Sequence, residues 1–142
     1  MSLKILLPVD LQDRDAAIAG LIRAMQYLGG QEVHMHFMSI LPGKPVPLLS
    51  AYTSKEEVES ALSVLKEELE LLVRQALPQL ADYVVRTAEG VVHKEVLKYA
   101  RELQPHLIML PSHSHSKVEN ILIGSVTSKV VEQANCSVLV VR

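Results

Sequence analysis

The chain has 142 residues, 49% apolar and 21% charged, a size that suits one globular domain burying about two-thirds of its unfolded surface in a single core. Fourteen Lys and Arg against sixteen Asp and Glu leave a formal charge of −2, which lacks the basic footprint of a nucleic-acid-binding domain. No apolar run nears the roughly 18 residues of a membrane span, and Cys136, the one cysteine, excludes an intrachain disulfide. The opening Met-Ser-Leu-Lys passes straight into a strand-like run, so no targeting leader is expected. Together these features point to a reducing, cytoplasmic setting.

Leu3 to Val9 is short and mostly apolar and ends at Asp10, the pattern of a buried strand. From Gln12 to Leu28 the period is helical, with Ile18, Leu21, Ile22, Met25 and Leu28 on one face and Gly29-Gly30 as the stop. Glu32 to Ile40 reads as the second strand, Val33, Met35 and Phe37 alternating with His34, His36 and Met38. Leu41 to Thr53 holds three prolines and reads as a loop or lid. Ser54-Lys-Glu-Glu57 resembles a capping box opening a long helix, its face Val58, Leu62, Leu65, Leu69, Leu72 and Ala76, ended by Pro78.

A third strand is expected around Asp82 to Thr87, then a helix from Gly90 to about Leu103 with Val92, Val96, Ala100 and Leu103 inward. Leu107 to Leu110 is a fourth, wholly apolar strand. Ser125 to Ala134 is the last helix, with Val126, Val130 and Ala134 inward, and Ser137 to Val141 the fifth strand. Continuous apolar strands alternating with helices imply an α/β fold: an open, doubly wound, five-stranded parallel sheet with helices on both faces. No repeat or linker interrupts it, so one domain over residues 1–142 is expected.

In such sheets ligands lodge beyond the carboxyl ends of the strands, where the winding reverses. That rule selects Pro8-Val9-Asp10 and the run from Pro111 to Gly124, where Gly124-Ser125 opens the last helix and Ser125 is the expected N-cap.

These segments carry a resemblance that runs nearly end to end. Ile5 to Asp10, Leu107 to Leu110, Gly124-Ser-Val-Thr127 and the closing Asn135-Cys-Ser-Val-Leu-Val-Val-Arg142 are similar to the universal stress protein family. The resemblance implies a flavodoxin-like, adenine nucleotide alpha hydrolase-like sheet of order 3-2-1-4-5, homodimerisation and a role in stress survival. It also implies an ATP or AMP pocket, whose fingerprint is Gly, two residues, Gly, nine residues, then Gly followed by Ser or Thr. Gly124-Ser125 keeps the third element, whereas Pro111 and Ser114 stand at the first two. Pro111 has no N–H to give a phosphate, and Ser114 has a Cβ that resists a left-handed turn.

Ser112, Ser114 and Ser116 could donate hydroxyl hydrogen bonds there, with Lys117 or His113 supplying charge. On the adenine side Asp10 could accept from the exocyclic amine, with Val9, Met38 and Met109 as apolar walls. The expected contact set is therefore Pro8, Val9, Asp10, Met38, Met109, Pro111, Ser112, Ser114, Gly124, Ser125, Val126 and Thr127. Two other readings stay open. One is a nucleotide-hydrolysing or phosphotransfer enzyme using Asp10 and Ser125; the other is a dimeric interaction module that no longer holds nucleotide.

No metal is expected, since His113 with His115 and His34 with His36 lack a third ligand at metal spacing. The His34 and His36 pair reads as a partly covered packing position, and Cys136 as an inert thiol. Asp13 and Asp15 suit a helix first turn, and Glu67, Glu68 and Glu70 a solvated helix face. In the implied order the fifth strand is an edge. Its Val138, Leu139 and Val140 are expected to pair with a second copy across a twofold axis.

Overall fold

The computed structural model describes residues 2–43, 54–112 and 124–142. Nine elements follow in chain order: β1 (Leu3–Pro8), α1 (Arg14–Leu28), β2 (Val33–Pro42), α2 (Lys55–Ala76), β3 (Tyr83–Gly90), α3 (Val92–Leu103), β4 (Leu107–Pro111), α4 (Ser125–Gln133) and β5 (Ser137–Val141). The strands form one sheet of order β3-β2-β1-β4-β5. All four pairings are parallel, so the expected topology holds. The winding reverses between β1 and β4, which opens the space above their carboxyl ends.

Strand alternation divides the apolar side chains between two layers. Ile5, Leu7, Met35, Phe37 and Met109 face α1 and α2, meeting Leu21, Ala24, Leu69, Leu72 and Val73. Leu6, Met38, Ile108 and Leu110 face α3 and α4, meeting Val96, Leu97, Tyr99, Ala100 and Val130. Val92, Leu103, Val126 and Ala134, expected inward, are partly buried against this second layer.

The helix ends follow local chemistry. The Asp13 carboxylate accepts from the Ala16 N–H at 3.1 Å, so Asp13 is the N-cap of α1 and only Asp15 lies in the first turn. Gly29 closes α1 with φ 60°, a backbone shape that glycine adopts without Cβ strain. Ser54 Oγ accepts from the Glu57 N–H at 3.1 Å, the expected cap of α2. α2 has 22 residues, about 33 Å at the helical rise, against strands of 5 to 10 residues. Its carboxyl half, with Leu69, Leu72, Val73 and Ala76, is buried, while Val58, Leu62 and Leu65 are only partly covered.

Several boundaries differ from the sequence expectation. β2 continues to Pro42, because β3 runs on to Gly90 and pairs Leu41 with Glu89 and Pro42 with Gly90. Of the expected Leu41 to Thr53 loop, Leu41 and Pro42 are therefore strand, and residues 44–53 lie outside the described residues. α4 begins at Ser125 with Gly124 as N-cap and no side-chain cap bond, so Ser125 is the first helical residue and not the cap.

The His34 and His36 pair also splits. His34 is about half exposed, 3.6 Å from the Asp82 carboxylate. His36 is partly buried, and its Nδ1 lies 3.1 Å from the Tyr99 hydroxyl. Burial first, then the charges of Lys4 and His34, hold the His36 imidazole below its usual 6.5, with Asp82 opposing. The unfolded chain then takes up this proton at higher pH than the folded one. The stability from the neutral ring is complete above pH 6.5 and is lost as pH falls toward the depressed folded value. His36→Gln should flatten the fall in urea midpoint between about pH 7 and about pH 5. An undiminished fall in the variant would assign the acid sensitivity elsewhere.

Candidate functional site

The crevice above β1 and β4 has a volume of about 630 Å³, within the common range for small-molecule pockets of about 300–1,000 Å³. Its base is built from strand ends. The Val9 N–H donates to the Met38 carbonyl at 2.7 Å, and the Ser39 hydroxyl, 3% exposed, donates to the Val9 carbonyl at 3.0 Å. These two bonds fix the chain as it leaves β1 against β2. Asp10 is exposed, and its Oδ1 accepts from the Gln12 N–H at 3.0 Å, closing a short Asx turn at the rim.

Nine expected residues line this space: Pro8, Val9, Asp10, Met38, Pro111, Ser112, Gly124, Val126 and Thr127. Met109 does not. It is 0% exposed in the layer beneath α1 and α2, and its neighbour Leu110 forms the wall instead. Met109 stands one residue deeper in β4 than Leu110 and Pro111, which both reach the crevice, and its side chain is enclosed between the sheet and the helices. Ser125 is absent from the wall although Gly124, Val126 and Thr127 belong to it. Ser114, together with His113, His115, Ser116 and Lys117, falls outside the described residues.

Other wall residues escaped the sequence reading. Gln12, Ser39, Ile40, Leu41 and Pro42 come from the β1 exit and the long end of β2. Leu65 and Glu68 come from the middle of α2, and Glu68, exposed as expected, also borders the crevice.

The end of β4 is held tightly. The Ser112 N–H donates to the Val141 carbonyl at 2.7 Å, so this amide is committed to β5. Pro111 has no N–H, and its ring lies against α1: a Cβ added at Gly20 would sit 3.0 Å from Pro111 Cβ. Leaving the strand, neither residue has a backbone donor to turn into the crevice. The first turn of α4 does, since the opening N–H groups of any helix lack intrahelical partners.

A second depression, about 460 Å³, lies where the carboxyl ends of α3 and α4 approach, lined by residues including Arg101, Gln104, Asn135 and Cys136. It lies away from the point where the winding reverses. Burial pushes the Cys136 thiol up from its ordinary value, against a smaller lowering by a backbone hydrogen bond at Ile108. The reactive thiolate is thereby disfavoured. Among the described residues no three His, Cys, Asp or Glu side chains gather to hold a metal ion, and no helix is long and apolar enough to cross a membrane.

Comparison with known proteins agrees with this architecture. The model of the universal stress protein family matches residues 1–142. Universal stress protein MJ0577 of Methanocaldococcus jannaschii is 28% identical over 152 residues, covering 98% of this chain and 94% of the relative. The solved structure of hypothetical protein MJ0577 has a TM-score of 0.75 at 22% identity, covering 99% of this chain and 96% of that one. A universal stress protein from Archaeoglobus fulgidus, solved in complex with dAMP, has a TM-score of 0.61 at 20% identity, covering 99% and 98%. At such identities the two solved structures speak to fold alone.

Proposed function

This chain belongs to the universal stress protein family, and from that premise we propose that it is a stress-response regulatory protein that binds an adenine nucleotide without turning it over. The observation that carries the reading is the crevice itself. Apolar Val9, Met38, Ile40, Leu110 and Val126 offer walls for a flat base, and Asp10 lies at the rim with carboxylate oxygen to accept an exocyclic amine. The dAMP complex of the Archaeoglobus fulgidus relative supports the same ligand class here. Work in the cytoplasm belongs to this reading, supported by the unpaired Cys136.

Hydrolysis or phosphotransfer by Asp10 and Ser125 is the weaker reading. Ser125 is not part of the crevice wall, and the Asp10 Oδ1 is engaged by the Gln12 N–H. Calorimetric titration with AMP, ADP and ATP tests the proposal. At least one should bind with a Kd below ~1 mM, about −4 kcal/mol, without phosphate release. Weaker binding of all three would retire the nucleotide site and favour the interaction module.

The same reading includes a homodimer through β5. This strand is an outer strand of the sheet, and Val138, Leu139 and Val140 remain only partly covered within one copy. A free apolar edge favours pairing with another strand. Light scattering at micromolar concentration should give twice the 15.7 kDa chain mass, and Leu139→Lys should shift it toward a single copy. A wild-type mass of one chain would contradict the dimer.

A further inference from the structure

Apart from Tyr99, Ser39 is the only buried residue among those described that carries a polar side chain, and it is 3% exposed. It stands in β2 beside Phe37, Met38 and Ile40, in a strand covered on both faces, where an apolar side chain is the rule. Its hydroxyl crosses to the exit of β1 and donates to the Val9 carbonyl at 3.0 Å, while the Val9 N–H donates to the Met38 carbonyl at 2.7 Å. Two consecutive residues of β2 thus hold both polar groups of the Val9 backbone. Val9 is buried, and the next residue, Asp10, is the exposed carboxylate at the crevice rim. Its Oδ1 accepts from the Gln12 N–H at 3.0 Å, which uses one of the two carboxylate oxygens.

We infer that Ser39 is a positioning residue for base recognition: by holding the Val9 carbonyl it sets the direction in which Asp10 leaves β1, and so the fit of the Asp10 carboxylate to the exocyclic amine of adenine. The inference rests on the proposed adenine site and names the residue behind its base preference. A hydroxyl has one hydrogen to donate, and that of Ser39 is used on Val9. Alanine at position 39 leaves the buried Val9 carbonyl without this bond, and a buried acceptor recovers a partner by turning toward water. The peptide unit is planar, so the Val9–Asp10 peptide turns with its carbonyl and carries the start of Asp10 with it. The carboxylate must then be reoriented as the ligand binds, a cost the wild-type chain has already met in folding. Contacts of base and ribose with the apolar wall do not pass through Asp10 and stay as they are.

Chemical-shift titration of the full chain with AMP and with purine riboside 5′-monophosphate, which lacks the exocyclic amine, tests this. The wild type should bind AMP about tenfold more tightly, a difference of about 1.4 kcal/mol. Ser39→Ala should cut that preference to about twofold by weakening AMP alone, the scale of one lost hydrogen bond. General loosening of the fold would instead weaken both ligands alike. Asp10→Ala should abolish the preference, and adding Ser39→Ala to it should change neither affinity, because Ser39 acts through Asp10. A preference that is absent in the wild type or untouched by Ser39→Ala overturns the inference. So does an equal loss for both ligands, or a further loss when Ser39→Ala is added to Asp10→Ala. If AMP fails to bind the wild type below ~1 mM, the adenine reading fails and this inference with it, a result distinct from the others.

Discussion

Replacing Phe37 with alanine is expected to lower the free energy of unfolding by about 3–5 kcal/mol. Phe37 is 0% exposed in β2, with Leu7 of β1 on one side in register and Val85 of β3 on the other. Its ring meets Tyr83 edge-to-face, with centroids 5.8 Å apart and planes at 74°. Truncation removes the largest fully buried side chain among the described residues and leaves a void between the sheet and the helices above it. It also removes a ring pair worth about 0.5–1.5 kcal/mol. A domain of this size is stable by about 5–15 kcal/mol, so the variant should unfold at much lower urea. Phe37→Leu should recover most of the loss. A shift under about 1 kcal/mol for the alanine variant would mean that the layer under α1 and α2 closes over the gap, contrary to the close packing of protein cores.

The second large effect links the core to the crevice. Glycine inside a helix is unfavourable by about 1 kcal/mol relative to alanine, so Gly20 in the middle of α1 needs a reason. Pro111 supplies it: a Cβ at position 20 would lie 3.0 Å from Pro111 Cβ and 3.7 Å from its Cγ. The proline cannot step aside freely, since Pro111 is registered with Val141 and Ser112 is bonded to the Val141 carbonyl. Gly20→Val should therefore destabilise by about 1–3 kcal/mol through overpacking. Gly20→Ala should be milder, and placing it on Pro111→Gly should remove its penalty. A double-mutant cycle of these last two changes should give a coupling of at least about 0.5 kcal/mol. Additive effects would show that the close approach is absorbed elsewhere.

How far the chain could be read in advance follows from which signals are local. The alternation of short apolar runs with helical periods is local, and it marked all five strands and four helices. The cap at Ser54 was legible because its capping-box pattern marks it, whereas Asp13 was placed one step too far into its helix and Gly124, which caps without a side chain, was passed over for Ser125. Met109 was expected as an apolar wall, and Leu110 lines the crevice in its place. In a strand apolar on both faces, period-two alternation carries no information about which face looks toward the ligand. Glu68 is exposed, as the amphipathic pattern implies, but such a pattern reports only which stripe meets the core and not that Glu68 also borders the crevice. The Pro111 contact with Gly20 and the Ser112 bond to Val141 join positions far apart in the chain, and no periodicity carries them. That Pro111 stands at a glycine position followed from the family resemblance, and the structure adds that its neighbour’s amide is engaged as well.

The central claim is that ligand enters where the sheet reverses its winding, between the ends of β1 and β4. Amide chemical-shift mapping with AMP tests it most directly. The expected perturbations centre on Val9, Asp10, Ile40, Leu110, Ser112 and Thr127, all on the crevice wall. Perturbations centred instead on Arg101, Gln104 and Cys136, in the depression between α3 and α4, would contradict it.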